Sequence, residues 1–425
     1  MIPADTKHFC MAGFVHTMID TVNAVKVCCT SRATLASMNE EPSVVKVWTS
    51  ERYQQLRRDM LDDKPIEGCE LCYKQESQNI ISDRQRFNAT FSDIEINVET
   101  GNSSNAPLSF DLRPNNLCNL KCMMCGPASS SQLAKEIIDN KTLFQFRKTK
   151  ELGIYDGFLT TDRYQNEEWL PELEEMIVSA PNPHLKLLGG EPTLIPEHMR
   201  IMTKLADADN TKGELKITTN LTNINSNFRR ILEKFEKVQI SCSVDGIGST
   251  LEYIRHPIDY VSWRKNLDTL IEIKQGREYF HIELHTVAQV FNVYHLPEFL
   301  KFASKLYKDH GVGYSFTMAI VYKERPLDVR YIPLEDRLRV ADELEDIARD
   351  MSDKERRLSR IRQVLEALRN DKELDKFEDK LPLVTYVVAR DIARDRHTKD
   401  FVPEFYKIIE PYYDEVKQEM LNYAK

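Results

Sequence analysis

Between Ala106 and Val321 six short apolar runs, LSFDLR, HLKLL, LKITT, VQISCSV, HIELHTV and GYSFTMAIV, alternate with stretches of helical periodicity. A strand followed by a helix and then another strand joins its successor in parallel, because the crossover carries the chain back to the same end of the sheet. The alternation therefore predicts an α/β fold with a parallel sheet, either open or curled into a barrel, over residues 106–325.

The flanking segments have different patterns. Residues 1 to about 82 carry five of the nine cysteines, one clear helical pattern at VWTSERYQQLRRDML and few apolar runs. With the linker-like stretch ETGNSSNAP (Glu99 to Pro107) this predicts a small cysteine-rich domain with its linker over residues 1–105. From Pro326 to Lys425 there is no glycine and 44 of the 100 residues are charged. Apolar stripes at Val340, Leu344, Ile347 and Met351 and at Leu358, Ile361, Leu365 and Leu368 predict a helical region, 326–425, with a solvated outer face.

Lys+Arg number 58 against 67 Asp+Glu, a formal charge of -9, which leaves no broad cationic surface for nucleic acid. No run approaches the length of a membrane span, and the start MIPADTKHFCMAGF lacks a charged region followed by an apolar one, so a cytoplasmic chain is expected. In a reducing compartment, clustered thiols bind metal more often than they pair as disulfides.

Cys118, Cys122 and Cys125 form a C-x3-C-x2-C group directly after the first of the six runs. Thiolates bind iron-sulfur clusters and zinc, and three ligands rather than four leave one metal position open for chemistry. A structural zinc site completed by a distant His or Cys is the alternative. The second run leads into LLGGEPTL, where Gly189 and Gly190 would let backbone approach a ligand and Glu191 could accept hydrogen bonds from an ammonium group. A plain tight turn would use the same residues.

Side chains alternate faces along a strand. In the fourth run Val238, Ile240, Cys242 and Val244 share the apolar face, while Gln239, Ser241, Ser243 and Asp245 share the other. The third run places Lys216, Thr218 and Asn220 on its polar face, and the fifth places His281, Glu283, His285 and Gln289 there, with Ile282 and Leu284 opposite. Such a polar interior suits a sheet that holds a polar ligand. Cys242 is expected to be a buried core thiol.

Together CNLKCMMC, GGEP after the second run and SVDG after the fourth resemble the radical S-adenosylmethionine (radical SAM) enzymes, from about Leu108 to Val321. The resemblance implies a partial (β/α)6 TIM-like barrel and a four-iron four-sulfur (4Fe-4S) cluster on Cys118, Cys122 and Cys125. It implies S-adenosylmethionine chelated by the open iron, with its ammonium on Gly189, Gly190 and Glu191, and reductive cleavage to a 5′-deoxyadenosyl radical that abstracts a substrate hydrogen. Asn220, Ser243 and Asp245 are then expected to touch the cofactor, and Glu283 and His285 to face the substrate. Met124 departs from the aromatic residue often found there.

The spacing of Cys10, Cys28, Cys29, Cys69 and Cys72 suits a closed zinc site or a fully ligated iron-sulfur cluster. FCMAGFVHTMIDTVNAVKVCC, VWTSERYQQLRRDML and GCELCYKQE resemble the auxiliary-cluster modules called SPASM or twitch domains, although such modules more often follow the barrel and Ala24 replaces a common glycine. This resemblance implies one auxiliary cluster on Cys10, Cys28, Cys69 and Cys72, with Cys29 as the alternative to Cys28. It points to a peptide or protein side chain as substrate and to a flavodoxin- or ferredoxin-type electron donor. The other readings are the same chemistry on a sugar or nucleotide, and a non-catalytic zinc-binding scaffold. The insertion from Asn140 to Gln165 is expected to be a lid or docking loop.

Overall fold

All six apolar runs form strands in the computed structural model, which describes residues 6–78, 80–96, 106–146, 168–319, 326–349 and 354–425. The linker from Glu99 to residue 105, most of the Asn140–Gln165 insertion, the end of the sixth run and Met351 lie outside the described residues. In chain order the strands are β1 (His16–Ile19), β2 (Ala24–Lys26), β3 (Ala36–Ser37), β4 (Ser109–Leu112), β5 (His184–Leu187), β6 (Glu214–Thr219), β7 (Lys237–Ser243), β8 (Phe280–Ala288) and β9 (Gly313–Met318). The fold is mixed α/β with a parallel sheet.

One compact unit comprises Met1–Asn116, Asp162–Ile217 and Asn225–Gln239. In it β1 pairs in parallel with β4, β4 with β5 and β5 with β6, in the register His16↔Ser109, Ser109↔His184 and Leu185↔Leu215. β2 continues antiparallel from β1, and β3 from β2. Leu185, Leu187, Leu215 and Ile217 are buried, while His184, Lys186, Glu214 and Lys216 keep partial exposure on the other face. The amino-terminal segment thus adds three strands that its composition did not announce. β1 is buried along its length, and its two polar side chains are satisfied far away in sequence: His16 Nδ1 lies 2.8 Å from Ser109 Oγ, and the Tyr53 hydroxyl donates to Thr17 Oγ1 at 3.4 Å. The expected helix is present as Glu51–Leu61, started by Ser50, whose side chain accepts from the Tyr53 N–H.

The helix Pro196–Asp207 buries His198 completely, and neither ring nitrogen has a hydrogen-bond partner of good geometry. Burial pushes its pKa down from 6.5 to about 3, and that of His16 to about 4. Both rings are neutral in the fold and charge on unfolding, so their contribution is complete above pH 6.5 and is lost as the pH falls towards 3 to 4. Urea denaturation at pH 7 and pH 4.5 should show a drop in stability that is clearly smaller in His198→Leu. An equal drop in that variant would contradict the assignment.

The second unit comprises Leu117–Thr161, Thr218–Ile224 and Ile240–Lys425. β8 and β9 pair in parallel from Glu283↔Gly313 to Ala288↔Met318. The helix Leu296–His310 connects them and ends on Gly311, whose φ of 63° allows the chain to leave the helix. Ile282 and Leu284 are buried, whereas Glu283 and His285 are half-buried and His281 is exposed. The carboxy-terminal helices are Leu334–Arg349, Lys354–Leu368, Phe377–Ala393 and Pro403–Tyr423. Val340, Leu344, Ile361, Leu365 and Leu368 are buried as their spacing predicts, while Ile347 and Leu358 are half-buried. Phe377–Ala393 departs from the expected solvated face: Leu383 to Asp391 are all buried, because LVTYVVA is apolar around the whole helix. Among the described residues no helix is long and apolar enough to cross a membrane.

Candidate active site

In the second unit Cys118, Cys122 and Cys125 occupy a short loop before the helix Ser131–Asp139. Ser130 caps this helix by accepting from the Leu133 N–H, and its hydroxyl donates to the Leu120 carbonyl at 2.5 Å. The Cys118 N–H donates to Ser131 Oγ at 3.2 Å. The N–H groups of Lys121 and Met123 donate to the carbonyls of His256 and Ile254 at 2.6 and 2.8 Å. From the carboxy-terminal region the Tyr386 hydroxyl donates to the Met123 carbonyl, and Arg394 Nη2 donates to the Lys121 carbonyl at 2.8 Å.

Donors also converge on the sulfurs. The Leu120 N–H and Asn220 Nδ2 lie 3.5 and 3.9 Å from Cys118 Sγ, and Arg255 Nη1 lies 3.7 Å from Cys122 Sγ. A hydrogen bond with the Cys125 thiol, together with burial, pushes the Cys122 thiol well above its usual pKa, and the Arg255 charge opposes that rise. Three thiols on one loop, with N–H groups and a guanidinium directed at sulfur, suit thiolates that ligate an iron-sulfur cluster, since each donor offsets negative charge on sulfur.

Sequence reasoning missed Arg255. Asp245 has no exposed surface, its Oδ1 accepts from the Val287 N–H at 2.8 Å, and its Oδ2 lies 2.7 Å from Arg255 Nε. One carboxylate oxygen thus accepts a backbone hydrogen bond and the other faces the guanidinium as an ion pair. A buried aspartate needs a cation, and Arg255 is the first basic residue after it, which is the signal that could have found it. Asn220 is buried beside the loop, where its Nδ2 also donates to Asn119 Oδ1 at 3.0 Å and its Oδ1 accepts from Thr222. Ser243 ends β7 half-buried, while Cys242 is fully buried. His285 Nδ1 lies 3.1 Å from Ser315 Oγ, and burial lowers its pKa. Glu283 sits two residues earlier on the same face of β8.

In the first unit Gly189 has a φ of +114°, and a Cβ there would lie 2.8 Å from the Asn115 carbonyl oxygen, so only glycine fits. The Gly190 N–H donates to that same carbonyl at 3.1 Å. Glu191 is buried, and its Oε1 accepts from the Thr193 N–H at 3.2 Å and hydroxyl at 2.7 Å. The amino-terminal thiols divide into two environments. Cys28 and Cys72 are buried, and Cys10 and Cys69 partly so. Burial pushes Cys28 up to about 12 and Cys69 to about 11; it also raises Cys10 and Cys72, and Cys28, Cys69 and Cys72 lie near enough to Cys10 to raise it further. Cys29 is exposed, 3.1 Å from Lys186 Nζ, which also pairs with buried Asp111 at 3.0 Å. Among the described residues no three His, Cys, Asp or Glu side chains are already gathered at metal-binding distance.

Residues 112–310 match the family model of the radical SAM superfamily. The chain carries a radical SAM domain. The match favours an enzyme over a non-catalytic scaffold, and the domain's family implies a 4Fe-4S cluster and S-adenosylmethionine. No curated protein matches the chain. Among solved structures, Streptococcus suis SuiB bound to S-adenosylmethionine is 14% identical with a TM-score of 0.35, over 69% of this chain and 62% of that one. Native anSMEcpe with bound AdoMet is 18% identical with a TM-score of 0.36, over 57% and 60%. TYW1 with a lysine-pyruvate adduct is 19% identical with a TM-score of 0.30, over 56% and 72%. The alignments thus span about three fifths of SuiB and of anSMEcpe. The cysteine triplet, GGE, Asp245 and Arg255 all fall within the radical SAM domain, while Tyr386 and Arg394 fall outside it.

Proposed function

We propose that Cys118, Cys122 and Cys125 hold the 4Fe-4S cluster of this radical SAM domain, and that the enzyme acts in the cytoplasm on a peptide or protein side chain. The observation that carries the reading is the thiol loop itself, with N–H donors at Cys118 Sγ and a guanidinium at Cys122 Sγ. When bound, the cluster would supply the electron for reductive cleavage of S-adenosylmethionine and so the radical chemistry that removes a substrate hydrogen. Gly189, Gly190 and Glu191 are read as binding the cofactor's ammonium, and Asn220 and Ser243 as further cofactor-binding residues. Asp245 acts through Arg255: it holds the guanidinium towards the loop, where positive charge favours an anionic cluster and a carboxylate. Glu283 and His285 face the substrate, and the lowered pKa of His285 keeps its ring neutral near pH 7.

In the same reading residues 1–105, 106–325 and 326–425 are an auxiliary-cluster domain with its linker, a partial barrel and a helical region, and the electron donor is a flavodoxin or ferredoxin. Cys10, Cys28, Cys69 and Cys72 hold a second cluster. The burial of Cys28 among the other thiols, and the pairing of exposed Cys29 with Lys186, favour Cys28 as the ligand. Iron and sulfide analysis after anaerobic reconstitution should give about eight irons per chain in wild type and in Cys29→Ala, and about four in Cys28→Ala. Four in wild type would remove the auxiliary cluster, and a loss confined to Cys29→Ala would reverse the ligand assignment.

A further inference from the structure

The carboxy-terminal hundred residues lie outside the stretch that matches the radical SAM family, yet they supply two of the four hydrogen bonds that fix the backbone on either side of Cys122. On one side Ile254 and His256 take the N–H groups of Met123 and Lys121. On the other, Tyr386 and Arg394 take the carbonyls of the same two residues. Arg394 also donates to both oxygens of Glu136, at 2.9 Å each, on the helix that follows the loop. Lys121 Nζ pairs with the same carboxylate at 3.4 Å, so Glu136 ties Arg394 to the residue whose carbonyl it holds. The side chains of Arg394 and Glu136 are 3% and 1% exposed, so water does not compete for these bonds.

The same stretch also grips the opposite partner of the loop. Arg396 donates to the Glu252 carbonyl at 3.1 Å and to His256 Nδ1 at 2.6 Å. The hydroxyls of Thr398 and Tyr253 are 2.9 Å apart, and Ser249 Oγ donates to the Phe401 carbonyl at 2.9 Å. Residues 386–401 therefore close on both the thiol loop and the 249–256 segment that pairs with it. A carbonyl released from such a donor becomes a buried, unsatisfied dipole, and the loop must turn to satisfy it. Turning moves the thiol between the two carbonyls, and losing a donor's positive end beside the loop disfavours an added electron.

We propose that Tyr386 and Arg394 are positioning residues for the iron-sulfur cluster, through which the helix Phe377–Ala393 and its cap set how firmly the cluster is held and at what potential it is reduced. This rests on the assignment of Cys118, Cys122 and Cys125 as cluster ligands. The test compares reconstituted wild type, Tyr386→Phe and Arg394→Met in two measurements: the rate of iron loss to bathophenanthroline disulfonate, and the midpoint potential from a redox titration followed by electron paramagnetic resonance. Tyr386→Phe keeps the ring on which Arg390 stacks at 3.4 Å, so the helix packing survives the change. Both variants should start with wild-type iron, lose it about tenfold faster and titrate at a more negative potential. Tyr413→Phe, which removes the bond from Tyr413 to Asp391 on the same helix, should lower thermal stability and leave both readings unchanged. Wild-type values in Tyr386→Phe and Arg394→Met, or equal acceleration in Tyr413→Phe, would overturn the proposal. A wild type that takes up no iron would overturn the ligand assignment instead.

Discussion

Replacing Arg255 by methionine should cost about 3 to 5 kcal/mol of folding stability, and adding Asp245→Asn to that variant should restore most of it. The pair is 2.7 Å apart with side-chain exposures of 8% and 0%, so either charge left alone is stranded in the interior. Asparagine keeps an oxygen for the Val287 N–H, which now donates to the carboxylate. The double variant therefore removes the stranded charge and leaves the backbone contact intact. Urea denaturation of the two single variants and the double variant closes the cycle. A loss below about 1 kcal/mol in Arg255→Met would show that the carboxylate takes its compensation from elsewhere. Because the same guanidinium lies 3.7 Å from Cys122 Sγ, the double variant should fold and still hold its cluster less firmly than wild type.

The extent to which the sequence foretold this arrangement follows from how local each signal was. The six strands with helices between them were legible because an apolar run and the helix after it lie within a few dozen residues. Parity held in β7, where Val238, Ile240 and Cys242 are buried and Gln239, Ser241 and Ser243 less so. Asp245 lies beyond the strand's last residue, Ser243, where alternation no longer dictates direction, and its carboxylate meets the Val287 N–H and Arg255. β1 was missed because it is four residues long and half polar, and its side chains find their partners 36 and 93 residues away. Gly189 was singled out for approach to a ligand, whereas the close neighbour in the structure is the Asn115 carbonyl, on a loop far earlier in the chain. The carboxy-terminal region was read from its average charge, which masked the apolar run from Leu383 to Ala389 and with it the helix that reaches the thiol loop. Long-range partners of polar groups, rather than element types, are what the sequence alone withheld.

The second large effect is expected at Cys122, the buried central thiol, whose flanking peptides are held from both sides. Alanine there removes one of three thiolates and leaves a cluster with too few ligands to stay anchored on the loop. The measurement is 5′-deoxyadenosine released from S-adenosylmethionine by anaerobically reconstituted protein under dithionite, in wild type and in Cys122→Ala. Release from wild type with none above background from the variant is the predicted result. No release from iron-replete wild type, or equal release from Cys122→Ala, would contradict the assignment of this loop as the centre of the chemistry.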